Sequence, residues 1–125
     1  MIENILLFAG ATVVAFWGIA HLFPTKGVVR GFGDISQDNR RIITMEWVGE
    51  GISLAFVGCL VALVTIAAGP DDEVSKLVYF SAAAFLVIMA VWHSFTGART
   101  KAIPMKLCPV IFCTGAVLFI LGSIL

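Results

Sequence analysis

Residues Ile42–Ala68 read IITMEWVGEGISLAFVGCLVALVTIAA, a run of 27 residues whose only charges are Glu46 and Glu50. A hydrocarbon core of about 30 Å takes about 20 apolar residues of helix. The run is longer than that, so its first turns sit among headgroups or the helix tilts. Working outward, three further runs have the same character: about Ile5–Phe23 before it, then about Leu77–Phe95 and about Leu107–Leu125 after it. Each break has a local cause. Pro24 stops the first helix, and Gly69-Pro70-Asp71-Asp72 joins a helix stop to turn residues. Pro104 lies between the last two runs, and Pro109 is tolerable in the opening turns of the fourth. The expected fold is all-α: a polytopic membrane protein, one domain over residues 1–125, built as a four-transmembrane-helix bundle.

Composition agrees. The 125 residues are 60% hydrophobic and 13% charged, with a mean hydropathy of +1.04. Soluble domains are nearer half apolar and a quarter charged, and a chain this short has too little interior to hide the surplus from water. The surplus faces lipid. The same arithmetic excludes a disordered chain and a secreted disulfide scaffold. Lys+Arg and Asp+Glu balance at 8 each, so no global basic field serves a nucleic-acid backbone. The first run carries Glu3 as its only early charge, with no basic leader and no small-x-small cleavage site. It reads as a retained helix.

The basic residues set an orientation. Lys26, Arg30, Arg40 and Arg41 lie between the first and second runs, and Arg99, Lys101 and Lys106 between the third and fourth. Only Lys76 falls on the other side, beside Asp71, Asp72 and Glu73. The positive-inside rule puts both basic connections in the cytoplasm and both termini on the non-cytoplasmic side, with a bacterial cytoplasmic membrane as the expected location. Setting topology and touching headgroups accounts for these charges; a dedicated anionic ligand is the sharper alternative. Cys59, Cys108 and Cys113 all lie within runs, form no C-x-x-C pair, and read as small hydrophobes.

Ionisable side chains inside membrane helices are costly and mark function. The candidates are His21, Glu46, Glu50 and His93. His21 ends an inward helix, Glu46 and Glu50 open an outward one, and His93 ends the next inward one. All four fall in one layer at the cytoplasmic end. Glu46 and Glu50, one turn apart, are expected to share an inward face with Gly49 and Ser53. Trp17, Trp47 and Trp92 surround the layer, as an interfacial belt or as ligand-stacking rings. Three chemistries suit the set. Imidazole and carboxylate suit a metal, with His21, Glu46, Glu50 and His93 as its ligands, although no H-x-x-x-H or E-x-x-H spacing supports one. Glu50 and His93 suit proton transfer. A crevice of Phe, Trp and Met with a few polar groups suits an amphipathic ligand, a quinone or a lipid. The plainer account is that Glu46 is wetted, Glu50 pairs with Arg40, Arg41 or Arg99, and His21 complements its helix terminus. Cys108 opens the fourth helix on the same side and is a weaker helper candidate.

The segment Thr25–Arg41 contains Gly31-x-Gly33, but no strand precedes it, so a nucleotide loop is a poor match. An interfacial turn or re-entrant piece fits better. Val28, Val29, Phe32 and Ile35 would be its apolar side, and Ser36 or Asp38 would cap the next helix. By adjacency it is a candidate lid over the acidic layer.

Gly18-Ile19-Ala20-His21-Leu22, a loop, then Glu46-Trp47-Val48-Gly49-Glu50-Gly51 with Leu54 and Gly58 resembles the DoxX-like group of small four-helix membrane proteins. The resemblance covers the first two long helices, about half the chain. It implies a four-helix bundle associated with quinone-linked sulfur oxidation or oxidative-stress complexes. Glu46 or Glu50 would take the family's acidic position in helix two, and His21 its polar position at the end of helix one. His93 has no counterpart there, and the last two helices match only in number and hydropathy.

The reading that results is a membrane protein with a His/Glu pocket near the cytoplasmic face, binding a quinone or lipid with proton transfer or redox coupling. The alternatives are a non-catalytic accessory subunit of a membrane redox complex and a small dimeric transporter. Beyond the bilayer, the expected partners are further copies of the chain or other subunits, with Gly115, Gly122 and Ser123 as a candidate packing face.

Overall fold

Four long helices take up the four apolar runs. The computed structural model describes residues 1–125 and contains no strand. Helix α1 spans Ile2–Leu22, α2 Thr25–Gly31, α3 Gln37–Ala68, α4 Glu73–Phe95 and α5 Ile103–Ile124, with a 3-10 turn at Gly97–Arg99. All but α2 are long and apolar enough to cross a membrane. Each of the four begins three to five residues before its apolar run. Apolarity marks the hydrocarbon crossing, whereas capping chemistry marks the helix start. Ser36 Oγ accepts from the Asn39 N–H at 3.1 Å and opens α3, and the Asp72 carboxylate accepts from the Ser75 N–H at 2.9 Å and opens α4. Pro104 does not separate the last two helices: it sits in the first turn of α5, where its missing N–H has no partner to lose. The expected interfacial piece is the short helix α2, which starts after Pro24.

Named contacts fix an up-down-up-down course. Gly122 of α5 meets Leu7 of α1, and Gly115 meets Val14; Gly58 of α3 meets Ala11 and Ala15. The helices form a ring in the order α3, α1, α5, α4. The α1–α3 seam is the closest. A Cβ on Gly18 would lie 2.6 Å from the Gly51 carbonyl oxygen, and one on Gly58 would lie 2.5 Å from that of Ala11. No larger side chain fits such an approach. Gly115 and Gly122 are buried against α1 in the same way, so these small residues pack inside the chain and are not free to meet a partner.

The α3–α4 seam is different, because the two helices meet sparsely. At one end, Thr65 Oγ1 and Tyr79 Oη are 2.9 Å apart and buried, and Ser75 Oγ donates to the Val64 carbonyl at 3.4 Å. At the other end stand Glu50 and His93. Between them runs an apolar crevice of about 350 Å³ lined by Val57, Leu60, Val78, Ala82 and Phe85 among others. The core is Leu7, Val14, Leu54, Leu86, Phe112 and Phe119, all fully buried. Outside, Phe16 (69% exposed), Ile66 (71%) and Ile88 (67%) have no protein cover. Such a surface fits an integral membrane protein in contact with the lipid bilayer.

Candidate functional site

On a helix each residue advances about 100°, and this rotation decides which polar residues of α3 turn inward. The buried seam runs Gly51, Leu54, Gly58, Val61, Thr65, and stepping back one turn from Gly51 reaches Trp47. Glu50 lies at the edge of that stripe, next to α4. Glu46, Gly49 and Ser53 lie beyond the edge and are exposed. The expected inward face of Glu46, Gly49, Glu50 and Ser53 is therefore off by about a third of a turn, and of these only Glu50 enters the bundle.

Three elements bring three side chains together. His93, in the last turn of α4, approaches Glu50 with Nε2 at 2.7 Å from Oε1. Its Nδ1–H donates to the Met89 carbonyl at 2.8 Å, because a carbonyl oxygen only accepts. With Nδ1 so committed, a hydrogen bond between Nε2 and Glu50 needs one further proton, carried by the imidazole or by the carboxyl group. His21, in the last turn of α1, places Nε2 at 3.7 Å from Glu50 Oε2. One carboxylate thus stands between two imidazoles.

Surrounding groups fix the rings. Trp47 stacks on His21 with centroids 3.9 Å apart and planes 16° from parallel, while its Nε1–H donates to the His21 carbonyl at 2.8 Å. Phe112 of α5 meets His93 edge-on at 5.1 Å. Met89 and Phe112 were not singled out from the sequence. The first acts through a backbone carbonyl four residues away, a feature any helical His could have; the second shows only as one apolar residue among many. His21 and His93 are buried, whereas the Glu50 side chain keeps 21% of its surface. Glu50 is the member open to the outside.

Two buried polar atoms here are poorly satisfied: His21 Nε2 has no hydrogen bond, and Trp17 Nε1 has only the Cys108 thiol beside it. They are one turn apart on α1. A thiol is a weak acceptor for an indole N–H. Cys108 is fully buried in this layer, with its thiol directed to the Pro104 carbonyl at 3.5 Å.

The remaining candidates are elsewhere. Glu46 is exposed, and Trp92 points outward at 65% exposure, as an interfacial ring does. Glu50 does not pair with Arg40, Arg41 or Arg99: Arg41 lies 3.6 Å from Asp38 and Arg99 stands over the Phe95 ring at 5.5 Å. No three His, Cys, Asp or Glu side chains are placed to hold a metal ion. The imidazoles converge on the carboxylate and not on a common empty point. Helix α2 packs by Val29 near the start of α3, and no hydrogen bond or ion pair joins it to the cluster. No family model, curated protein or solved structure matches the chain.

Proposed function

We propose that this membrane protein holds a small amphipathic ligand, a quinone or a lipid, with its polar head at His21, Glu50 and His93, and that the cluster moves a proton there. The observation that carries the proposal is the Glu50 carboxylate placed between two imidazoles, hydrogen-bonded to His93 at 2.7 Å and 3.7 Å from His21 Nε2, at the end of the α3–α4 seam. Val57 lies two turns from Glu50, and Phe85 about two turns from His93, so the apolar crevice and the cluster share one seam. Polar groups at one end of an apolar channel match a molecule with a head and a tail. The Trp17 N–H, faced only by the weakly accepting Cys108 thiol, offers a donor to a carbonyl or hydroxyl oxygen, and His21 Nε2 supplies a second polar contact. When bound, a quinone would supply electron transfer coupled to protons. The chain's own part is to hold one proton between His93 and Glu50 and to expose the carboxylate to the next acceptor.

The DoxX-like resemblance of α1 and α3, a bacterial cytoplasmic membrane, and cytoplasmic basic connections with both termini outside belong to the same proposal. Assembly with further copies or subunits belongs to it as well.

Native mass spectrometry with elemental analysis tests it, on gently solubilised wild type and on the double variant Glu50→Ala/His93→Ala. A quinone or lipid carried by the wild type and lost from the folded variant is the expected result. Cargo retained by the variant, or a wild type carrying nothing specific, would overturn it.

A further inference from the structure

A second crevice, of about 220 Å³, opens at the elbow between α2 and the first turns of α3. Its walls are two pairs of residues four apart, Lys26 and Arg30 on α2, Arg40 and Thr44 on α3, with Thr25 and Val29 completing it. Residues four apart share a helix face, so three cationic side chains line one hollow from two helices, Lys26 and Arg30 at its exposed rim. Val29 forms a buried apolar floor.

Nothing in the chain neutralises this hollow. The ion pairs are Arg41 with Asp38 and the N-terminal ammonium with Glu3, while Glu50 faces the two histidines. No carboxylate reaches Lys26, Arg30 or Arg40. Both threonine hydroxyls are already committed, Thr25 donating to the Leu22 carbonyl at 2.6 Å and Thr44 to that of Arg40 at 2.8 Å. The donors left for a ligand are therefore the two guanidinium groups and the ammonium. That set suits a phosphate, which accepts planar forks from arginine and a point charge from lysine.

Orientation alone does not explain the arrangement. A topology signal needs only the number of cations near the membrane, not their convergence around a cavity. The depth also fits. Thr25 lies three residues past the last residue of α1, and α3, 32 residues or about 48 Å long, overshoots a 30 Å core. The elbow thus lies at headgroup level.

We propose that the crevice lined by Lys26, Arg30 and Arg40 is a binding site for one phosphate group, of an anionic phospholipid headgroup or of a free phosphate. It is separate from the His21–Glu50–His93 cluster and does not rest on the function proposed for it.

The test titrates the full chain in neutral detergent with phosphatidylglycerol, phosphatidylcholine and inorganic phosphate, read by native mass spectrometry. Wild type is compared with Arg30→Gln/Arg40→Gln and with Arg99→Gln/Lys101→Gln, which removes equal charge elsewhere at the same end. A headgroup site retains one phosphatidylglycerol in preference to phosphatidylcholine. Each cation near an anionic surface contributes a factor of roughly five, so the elbow variant weakens retention roughly 25-fold while the distal variant leaves it unchanged. A free-phosphate site instead binds one inorganic phosphate that displaces the lipid, with the same loss in the elbow variant. Equal binding of both lipids with no phosphate bound, or equal loss in both variants, would overturn the proposal. Circular dichroism checks the fold. Should Arg30→Gln/Arg40→Gln not fold, Lys26→Gln/Arg30→Gln, on the exposed side of α2, replaces it with the same criteria.

Discussion

His93 and Glu50, 43 residues apart in sequence, face each other across 2.7 Å with the second ring nitrogen of His93 already tied to Met89. A hydrogen bond across that distance takes one proton, on the imidazole or on the carboxyl group. It is also the polar tie between α3 and α4 at this end of the bundle, so the proton proposed to move there would have a structural role as well.

Replacing Glu50 separates those roles. Glu50→Ala leaves His93 Nε2 unpaired and is expected to destabilise the fold by about 1–3 kcal/mol. Glu50→Gln should lose less, because its amide N–H can donate to a neutral Nε2. Chemical denaturation in detergent of both variants is the check, and equal losses would contradict the shared proton.

The α1–α3 seam makes a sharper demand on size. Gly58→Leu drives side-chain atoms into the Ala11 carbonyl and should destabilise by about 1–3 kcal/mol or more. Gly49→Ala, where an added Cβ meets nothing within 4 Å, should be neutral or slightly stabilising. Melting temperatures of the two variants should fall on opposite sides of, or far apart from, one another; similar shifts would refute the packing.

Trp47 acts on His21 twice, by its ring and by its N–H. Trp47→Phe keeps a ring and removes the donor, for an expected loss of about 1 kcal/mol. Trp47→Ala removes both and should cost more, with a shift of the His21 ring resonances in NMR. A Phe variant as damaged as the Ala variant would assign the whole effect to the hydrogen bond.

Orientation is open to labelling. With both basic connections in the cytoplasm, an impermeant thiol reagent applied outside reaches Asp71→Cys and misses Lys101→Cys. The reverse pattern inverts the assignment while leaving His21, Glu50 and His93 in one layer.

The crossings and the layer of polar residues were legible in the sequence because both depend on position along the chain. Runs of apolar residues give length, and the alternation of direction puts His21, Glu50 and His93 at one level. Rotation about the helix axis was harder to read. Glu46 and Glu50 differ by only about 40°, and both looked equally inward until the Gly18–Gly51 contact showed which side of α3 meets α1. The 4-3-4-3-4 spacing of Trp47, Gly51, Leu54, Gly58, Val61 and Thr65 would have identified the inward stripe, and with it Trp47. The glycines of α5 were misread for a related reason: small residues announce close packing, but not whether the neighbour is α1 or another chain.

The ring of helices closed on three sides has a mechanical consequence. Where α1 meets α3 and α5 through glycine and alanine, backbones are nearly in contact and there is little left to compress. The α3–α4 side, held by polar ties at its two ends with the crevice between, is the compliant one. Strain imposed by a change in bilayer thickness or lateral pressure is therefore expected to collect there, as α3 leaning away from α4. That motion would stretch the Glu50–His93 contact directly.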